Sequence, residues 1–363
     1  MKKVLILEPY YGGSHKFFLD GLQKNVSGDY TLFTLPARKW KMRMQLSAPW
    51  FIKKIEELPR HKRRFDAVLC STFVDVSVLR ALLTQVDGWD QQARILTFFH
   101  ENQFAYPQRN PKQNDFQFTA INFNTALASD KIGFNSNYNL FSFLAGCRKF
   151  LQSASDMKIE ELVDDLEQKS TLLYPGIDFI KCDKIESVRN RETPVIVWNH
   201  RWEHDKNPDQ FFETLLKLEA KGRDFHLILL GQSFQSCPKC FLTARQHFGR
   251  KILHYGFAES YSQYISLLKQ GDIVVSTALH EFYGIAIIEA VRSGCFPVLP
   301  EKLSYPELFD SQYLYGENGL VKKLDALLQK DDVRLSDEES RKLTEKFSWL
   351  SLCNQYHDWL FTS

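Results

Sequence analysis

Two glutamates stand eight residues apart, Glu281 and Glu289, in the run Ser276-Thr-Ala-Leu-His-Glu281-Phe-Tyr-Gly284-Ile-Ala-Ile-Ile-Glu289. The apolar pattern after Gly284 predicts a helix that Ile285 and Ala286 begin. It puts Glu289 inside the helix and Glu281 in the loop before it. The first N–H groups of a helix have no internal partner and can hold a phosphate. A carboxylate one turn further in can accept hydrogen bonds from a ribose diol. One such segment can therefore grip a sugar, a diphosphate and a ribose together, as a nucleotide-sugar requires.

Three other clusters carry side chains suited to chemistry. Glu8-Pro-Tyr-Tyr11-Gly12-Gly13-Ser14-His15 follows a strand pattern and opens a helical one. Paired glycines there let backbone N–H groups approach anionic oxygens, although glycines also serve ordinary turns. The string lacks the third glycine and the downstream acid of a dinucleotide fingerprint. His100-Glu101-Asn102-Gln103 gathers four polar side chains where a strand ends. A lone histidine there would suit a turn, but four together favour a site. Arg201 and Lys206 lie five apart at another strand end, just before a helix. A leaving diphosphate gains negative charge as its bond breaks, so fixed cations there would lower the barrier. The plainer alternative is a surface pairing with Glu203 and Asp205. Gly231 and Gly256 also sit at strand ends, leaving room for a flat base against the backbone.

These clusters need a scaffold that brings strand ends together. Apolar or β-branched runs recur at 4–7, 31–33, 67–70, 95–99, 132–134 and 171–173, then at 195–198, 227–230, 252–254, 273–276 and 296–299, with helical patterns between them. That alternation predicts βαβ units and parallel sheets. The expected organisation is an N-terminal doubly wound domain over 1–178, a linker over 179–194, a second over 195–340, and a helical, aromatic C-terminal segment over 341–363. Ligands of such sheets bind beyond the carboxyl ends of the strands. Two facing domains would then share one cleft, a natural place for a donor–acceptor reaction.

At 363 residues the chain exceeds what one core usually serves, in keeping with two domains. No apolar run approaches the roughly 20 residues of a membrane span, and the charge at Glu8 comes too early for a signal-peptide core. Seven cysteines, an odd number mostly in apolar context, read as reduced thiols of a cytoplasmic protein. Cys237-Pro-Lys-Cys240 has only His247 nearby and no second ligand pair, so a loop is favoured over a zinc or redox site. The net charge of +2 conceals a basic block: residues 36–64 hold ten cations, Arg38, Lys39 and Arg43 among them, against Glu56 and Glu57. Residues 156–167 are acidic in turn. A basic block in a near-neutral protein suggests a polyanionic partner, with a solvated helix face as the alternative. Trp40, Met42, Met44 and Trp50 interleave with the cations, which suits nucleic acid.

Glu281 and Glu289, together with Gly284, Ala290, Gly294, Pro297 and Val298, resemble the glutamate-x7-glutamate motif of retaining glycosyltransferases of family four. Arg201, Lys206 and the turn 174–178 match the same pattern. That family has the GT-B fold, an α/β architecture of two facing Rossmann-like domains with a C-terminal crossing helix, and it requires no metal. A narrower likeness covers nearly the whole chain. The strings 8–15, Leu35-Pro-Ala-Arg-Lys-Trp40 with Arg43, and Phe99-His-Glu-Asn-Gln-Phe104 with Tyr106-Pro107 resemble the tRNA-queuosine α-mannosyltransferase group. Members of that group transfer mannose from GDP-mannose to the queuosine base of a tRNA.

The resemblance implies that Arg201 and Lys206 stabilise the donor diphosphate and that Glu289 binds ribose hydroxyls. Glu281 and the backbone of Phe282, Tyr283, Gly284 and Ile285 would hold the sugar, with Gly12, Gly13 and Gly231 also lining the donor site. His100 would act beside the reacting sugar. His15, Arg38, Lys39, Arg43, Glu101, Asn102 and Gln103 would meet the acceptor and its RNA. Cys237 and Cys240 fall outside the family pattern. Two other readings stay open: a family-four enzyme with a polysaccharide, lipid or small-molecule acceptor, and a non-catalytic RNA-binding protein on the same fold.

Overall fold

The computed structural model describes residues 1–106, 116–186, 192–232 and 237–362. Pro107 and part of the expected linker lie outside them. The chain divides into two compact units, residues 1–176 with 349–363, and residues 177–348.

In the first unit six parallel strands run β1 Lys3–Tyr11, β2 Asp29–Pro36, β3 Ala67–Ser71, β4 Arg94–Phe99, β5 Lys131–Phe134 and β6 Ser170–Leu172. Their spatial order is β2-β1-β3-β4-β5-β6. The connections reverse direction between β1 and β3, which makes the carboxyl ends of those strands the ligand-binding crevice of such a sheet. Helices cover both faces, so the strands read as continuous apolar runs: Val4 to Leu7 and Ala67 to Cys70 are essentially inaccessible.

One face is closed by the C-terminal helix Trp349–Phe361. Its Trp349, Leu352, Tyr356, Trp359 and Leu360 join Val4, Ile6, Phe18 and Leu22 in one core. Two glycines permit that docking. A Cβ on Gly21 would lie 2.2 Å from the Trp349 indole nitrogen, and one on Gly176 2.3 Å from its ring. The Tyr356 hydroxyl donates to the Leu173 and Tyr174 carbonyls at 3.2 and 2.9 Å.

The returning helix begins at Trp349, later than the expected 341. Residues 337–344 form a separate helix, Asp337–Thr344, started by a capping box in which Ser336 and Glu339 satisfy each other's backbone N–H groups. That helix belongs to the second unit.

The second unit holds β7 Val195–Asn199, β8 His226–Leu230, β9 Ile252–Gly256, β10 Ile273–Val275, β11 Phe296–Pro300 and β12 Leu314–Tyr315. Their order, β12-β11-β10-β7-β8-β9, is all parallel and reverses between β7 and β10. The two-residue β12 was not expected, being too short to show a pattern. Within the expected linker, Ile180–Asp183 forms a helical turn whose Asp183 accepts from Arg292 at 2.8 and 2.7 Å.

Candidate active site

In the second unit the expected residues gather where β7 and β10 diverge. After β7 the chain makes a short turn, His204–Lys206, ended by Asn207 in the left-handed region at φ 50°, and Pro208 begins the next helix. Thr277, just past β10, donates its hydroxyl to the Lys206 and Asn207 carbonyls at 2.9 and 3.0 Å, tying this turn to the neighbouring strand.

Lys206 is thereby buried to 5% exposure. Its ammonium donates to the His280 carbonyl at 2.6 Å and to Glu281 Oε2 at 3.1 Å, with Asp205 Oδ2 at 3.5 Å. Burial would raise the Glu281 carboxyl, yet Lys206 outweighs it and holds the group down at about 2. Lys206 and Glu281 are therefore one charged pair. Arg201 is instead half exposed and reaches Glu203 at 3.2 Å.

Gly284 caps the helix Ile285–Arg292 at φ 100°, a conformation that excludes most side chains. Phe282 and Tyr283 are both buried. Phe282 packs edge-on to His280, and Tyr283 accepts from Ser304 through its carbonyl at 3.0 Å. Their side chains support the loop. Glu289 is 7% exposed and accepts from the Tyr261 hydroxyl at 2.9 Å. Burial pushes its carboxyl up to about 7, even though the Tyr261 and Tyr264 hydroxyls favour the ionised form.

Gly231 is closely packed on its Cβ side. A Cβ there would lie 2.0 Å from the His200 carbonyl and 2.6 Å from the Trp202 indole. The missing side chain admits the protein's own backbone and the Trp202 ring.

In the first unit a second constellation forms at the reversal between β1 and β3. His15, on the helix Gly13–Asn25, is 3% exposed. Its Nδ1 lies 3.0 Å from Glu8 Oε2 and its Nε2 3.4 Å from Glu101 Oε2. Burial opposes charge on the ring, but the two carboxylates prevail and raise it to about 10, so His15 is an imidazolium donating on both sides. Glu8 is fixed by the Tyr10 N–H at 2.7 Å and the Ser71 hydroxyl at 3.1 Å. His15 stacks on Phe73 at 5.2 Å and meets the His100 ring at 4.1 Å. Burial and the neighbouring His15 charge hold His100 well below its ordinary value, hence neutral. Glu101 Oε1 is buried with no partner in the protein.

Gly12 lets the helix start approach Ala37, since a Cβ would lie 2.5 Å from the Ala37 Cβ, and Gly13 takes φ 52° with open space above it.

Asn102 is corrected from a contact to a support. It is fully buried and donates to Asn139 Oδ1 at 2.8 Å and Ser142 at 3.0 Å, while accepting from the Ala105 N–H at 2.9 Å. The Gln103 N–H donates to Asn122 at 2.8 Å. These bonds fix the loop that carries His100 and Glu101. Ser136 caps the helix Asn137–Gln152, accepting from the Asn139 N–H at 3.0 Å.

Arg38 and Lys39 are exposed ahead of the helix Trp40–Glu56, and Arg43 is half-buried on its first turns with its Nε unpartnered. Met44 is not part of that surface. It is fully buried with Phe73 and Phe118, because it shares the helix's apolar stripe with Ala48, Phe51 and Ile55. Met42, on the opposite side, is half exposed. All seven cysteines are unpaired, and burial pushes Cys240 up to about 12. Among the described residues no three His, Cys, Asp or Glu side chains form a metal-binding group, and no helix is long and apolar enough to cross a membrane.

Residues 3–177 match the model of the tRNA-queuosine alpha-mannosyltransferase N-terminal domain, and residues 181–346 match that of glycosyl transferases group 1. A Drosophila melanogaster tRNA-queuosine alpha-mannosyltransferase is 37% identical over 331 residues, spanning 88% of this chain and 85% of its own. The chain belongs to the tRNA-queuosine alpha-mannosyltransferase family. It is a glycosyltransferase.

Solved structures agree on the fold. HepE of Anabaena, in complex with UDP, aligns with a TM-score of 0.67 at 12% identity over 99% of both chains. Sucrose-phosphate synthase of Thermosynechococcus elongatus gives 0.70 at 11% over 98% of this chain and 97% of that one. This is the GT-B fold expected from the strand pattern and the motifs.

Three residues of this family member were not singled out from sequence: Glu8, Tyr261 and His200. Glu8 stands in the glycine string but has its partner Ser71 sixty-three residues away. Tyr261 is tied to Glu289 across twenty-eight. Such pairings carry no local periodicity. His200 adjoins the expected Arg201 and is buried at the end of β7.

Proposed function

We propose that this enzyme moves mannose from GDP-mannose to the queuosine base of a tRNA, retaining the anomeric configuration. The observation that carries the donor half is the buried Lys206–Glu281 pair ahead of the Gly284-capped helix. The naming of the fly relative, read with the basic segment around Arg38, Lys39 and Arg43, supports the acceptor half.

In this reading the bond between the sugar C1 and the β-phosphate oxygen breaks as the acceptor hydroxyl attacks the same face. The proton of that hydroxyl passes to the departing phosphate oxygen. Lys206, Arg201 and the N–H groups at the helix start take up the charge that develops there, with no need for a metal. Glu281 fixes hydroxyls of the hexose, and Glu289 accepts from the ribose diol. His15, an imidazolium held by Glu8 and Glu101, cannot serve as a base and works as an electrostatic and orienting group. His100, neutral beside it, orients the acceptor. A tRNA substrate puts the reaction in the cytoplasm.

The test is incubation with total tRNA and a panel of nucleotide-sugars, followed by nucleoside mass spectrometry. The reading expects one added hexose on queuosine, with GDP-mannose as donor. Transfer to lipid or glycan alone would overturn it.

A further inference from the structure

Glu289 stands on the helix Ile285–Arg292, one turn beyond the Gly284 cap, and keeps 7% of its surface accessible. A second helix, Tyr261–Leu268, packs beside it. Ser260 starts that helix, its hydroxyl accepting from the Gln263 N–H at 3.1 Å, which places Tyr261 at the first helical position. From there the Tyr261 hydroxyl donates to Glu289 Oε1 at 2.9 Å. Asn199, the last residue of β7, joins the same two helices separately, donating to the Ala286 carbonyl at 2.7 Å and to the Tyr264 hydroxyl at 3.2 Å. The helix pair thus has a tie that is independent of the Tyr261 hydroxyl.

A hydroxyl that donates to a carboxylate favours its ionised form and fixes its direction. Burial, and then the facing Glu289 charge, push the Tyr261 hydroxyl well above its ordinary range, so it keeps its hydrogen at neutral pH. Among the described residues no cation pairs with Glu289. Arg292, on the same helix, is committed to Asp183 at 2.8 and 2.7 Å and to Glu345 at 2.9 Å. Of the other packed elements, the tyrosine helix adds Tyr264, and the turn Ile180–Asp183 adds Cys182. The Cys182 thiol lies 3.5 Å from the Ser293 hydroxyl, which itself donates to the Glu289 carbonyl at 2.8 Å. Asp178 acts on Tyr261, and Lys269 acts on Cys182.

We infer that Tyr261 is a positioning residue for donor binding: its hydroxyl holds the Glu289 carboxylate in place and ready to accept from the ribose diol. The inference rests on the donor reading proposed above. It adds the group that fits Glu289 for its part.

Calorimetry with GDP between pH 6 and pH 9 tests it on the full chain. Tyr261→Phe keeps the ring and removes only the hydroxyl. The Glu289 carboxyl then moves up by about one pH unit, the worth of one hydrogen bond to a charged group. Starting from about 7 in the parent, that shift leaves roughly a fivefold smaller ionised fraction at pH 7, and GDP binds about fivefold more weakly. At pH 9 both carboxyls are ionised, and the deficit falls below about twofold. At pH 7 the KM for GDP-mannose rises in the same proportion, while kcat stays within about twofold. On a Glu289→Gln background the same substitution changes GDP affinity by less than about twofold at every pH, because no carboxylate is left to position.

A Tyr261→Phe deficit that is equal at pH 7 and pH 9, or equal in both backgrounds, marks a structural role and overturns the inference. So does a variant that binds GDP like the parent at pH 7. A parent whose GDP affinity is flat with pH and unchanged by Glu289→Gln would instead overturn the ribose role of Glu289, and this inference with it.

Discussion

Replacing Lys206 with methionine separates what the buried pair does for the fold from what it does for the reaction. Glu281 lies at about 2 against an ordinary 4.5. At about 1.4 kcal/mol per unit, that difference sets a ceiling of roughly 3 kcal/mol on what the folded site contributes by keeping Glu281 ionised. About a fifth of the side chain is exposed, which lowers the figure to about 2 kcal/mol. Lys206→Met leaves that carboxylate without its cation, and for a domain of this size the second unit should melt about 4–8 °C lower at pH 7.

The sign with pH follows from the depressed value. The stabilisation is fully present above pH 4.5 and is lost as pH falls toward 2, so the gap between variant and parent narrows in acid. The double variant Lys206→Met/Glu281→Gln removes the stranded charge and should recover most of the melting temperature at pH 7. It should not recover turnover. Loss of one contact to a departing diphosphate costs about 10²–10³ in kcat/KM. Scanning fluorimetry and labelled-mannose transfer to tRNA read the two effects separately. Restored turnover in the double variant, or a single variant within tenfold of the parent, would refute the argument.

Other outcomes follow from the same geometry. Because Glu8 and Glu101 raise His15 to about 10, their stabilisation is complete below pH 6.5 and fades as pH climbs toward 10; Glu8→Gln should flatten the decline in melting temperature over that range. Glu289, raised to about 7, favours the folded state when protonated, but a ribose diol prefers the ionised acceptor. GDP affinity should therefore rise through neutral pH in the parent and stay level in Glu289→Gln. Charge reversal at Arg38, Lys39 and Arg43 should weaken tRNA binding and reduce its salt slope by roughly 2, at about 0.7–0.9 per lost phosphate contact, with GDP-mannose binding unchanged. Gly21→Ala drives a methyl into Trp349 and should cost about 1–3 kcal/mol by overpacking, read as a lower melting temperature of the first unit.

The sequence revealed the architecture because strands buried on both faces write themselves as unbroken apolar runs, as in Val195 to Trp198 and Leu227 to Leu230. It missed β12, where two residues cannot make a pattern. In the site, Lys206, Glu281 and Glu289 could be read because chemistry and position coincide on one short stretch each. Asn102 was misread because a polar residue at a strand end is as useful to the protein's own packing as to a ligand. Only its three-dimensional neighbour Asn139 distinguishes the two. Glu8 owes its anchoring to Ser71 on an adjacent strand, which no spacing along the chain can announce.

The most direct measurement is a structure of the protein with GDP-mannose bound. The account predicts the diphosphate against Lys206 and the helix start at Gly284 and Ile285, the ribose diol on Glu289, and the mannose beside Glu281. A donor bound away from Lys206 and Glu289 would contradict it.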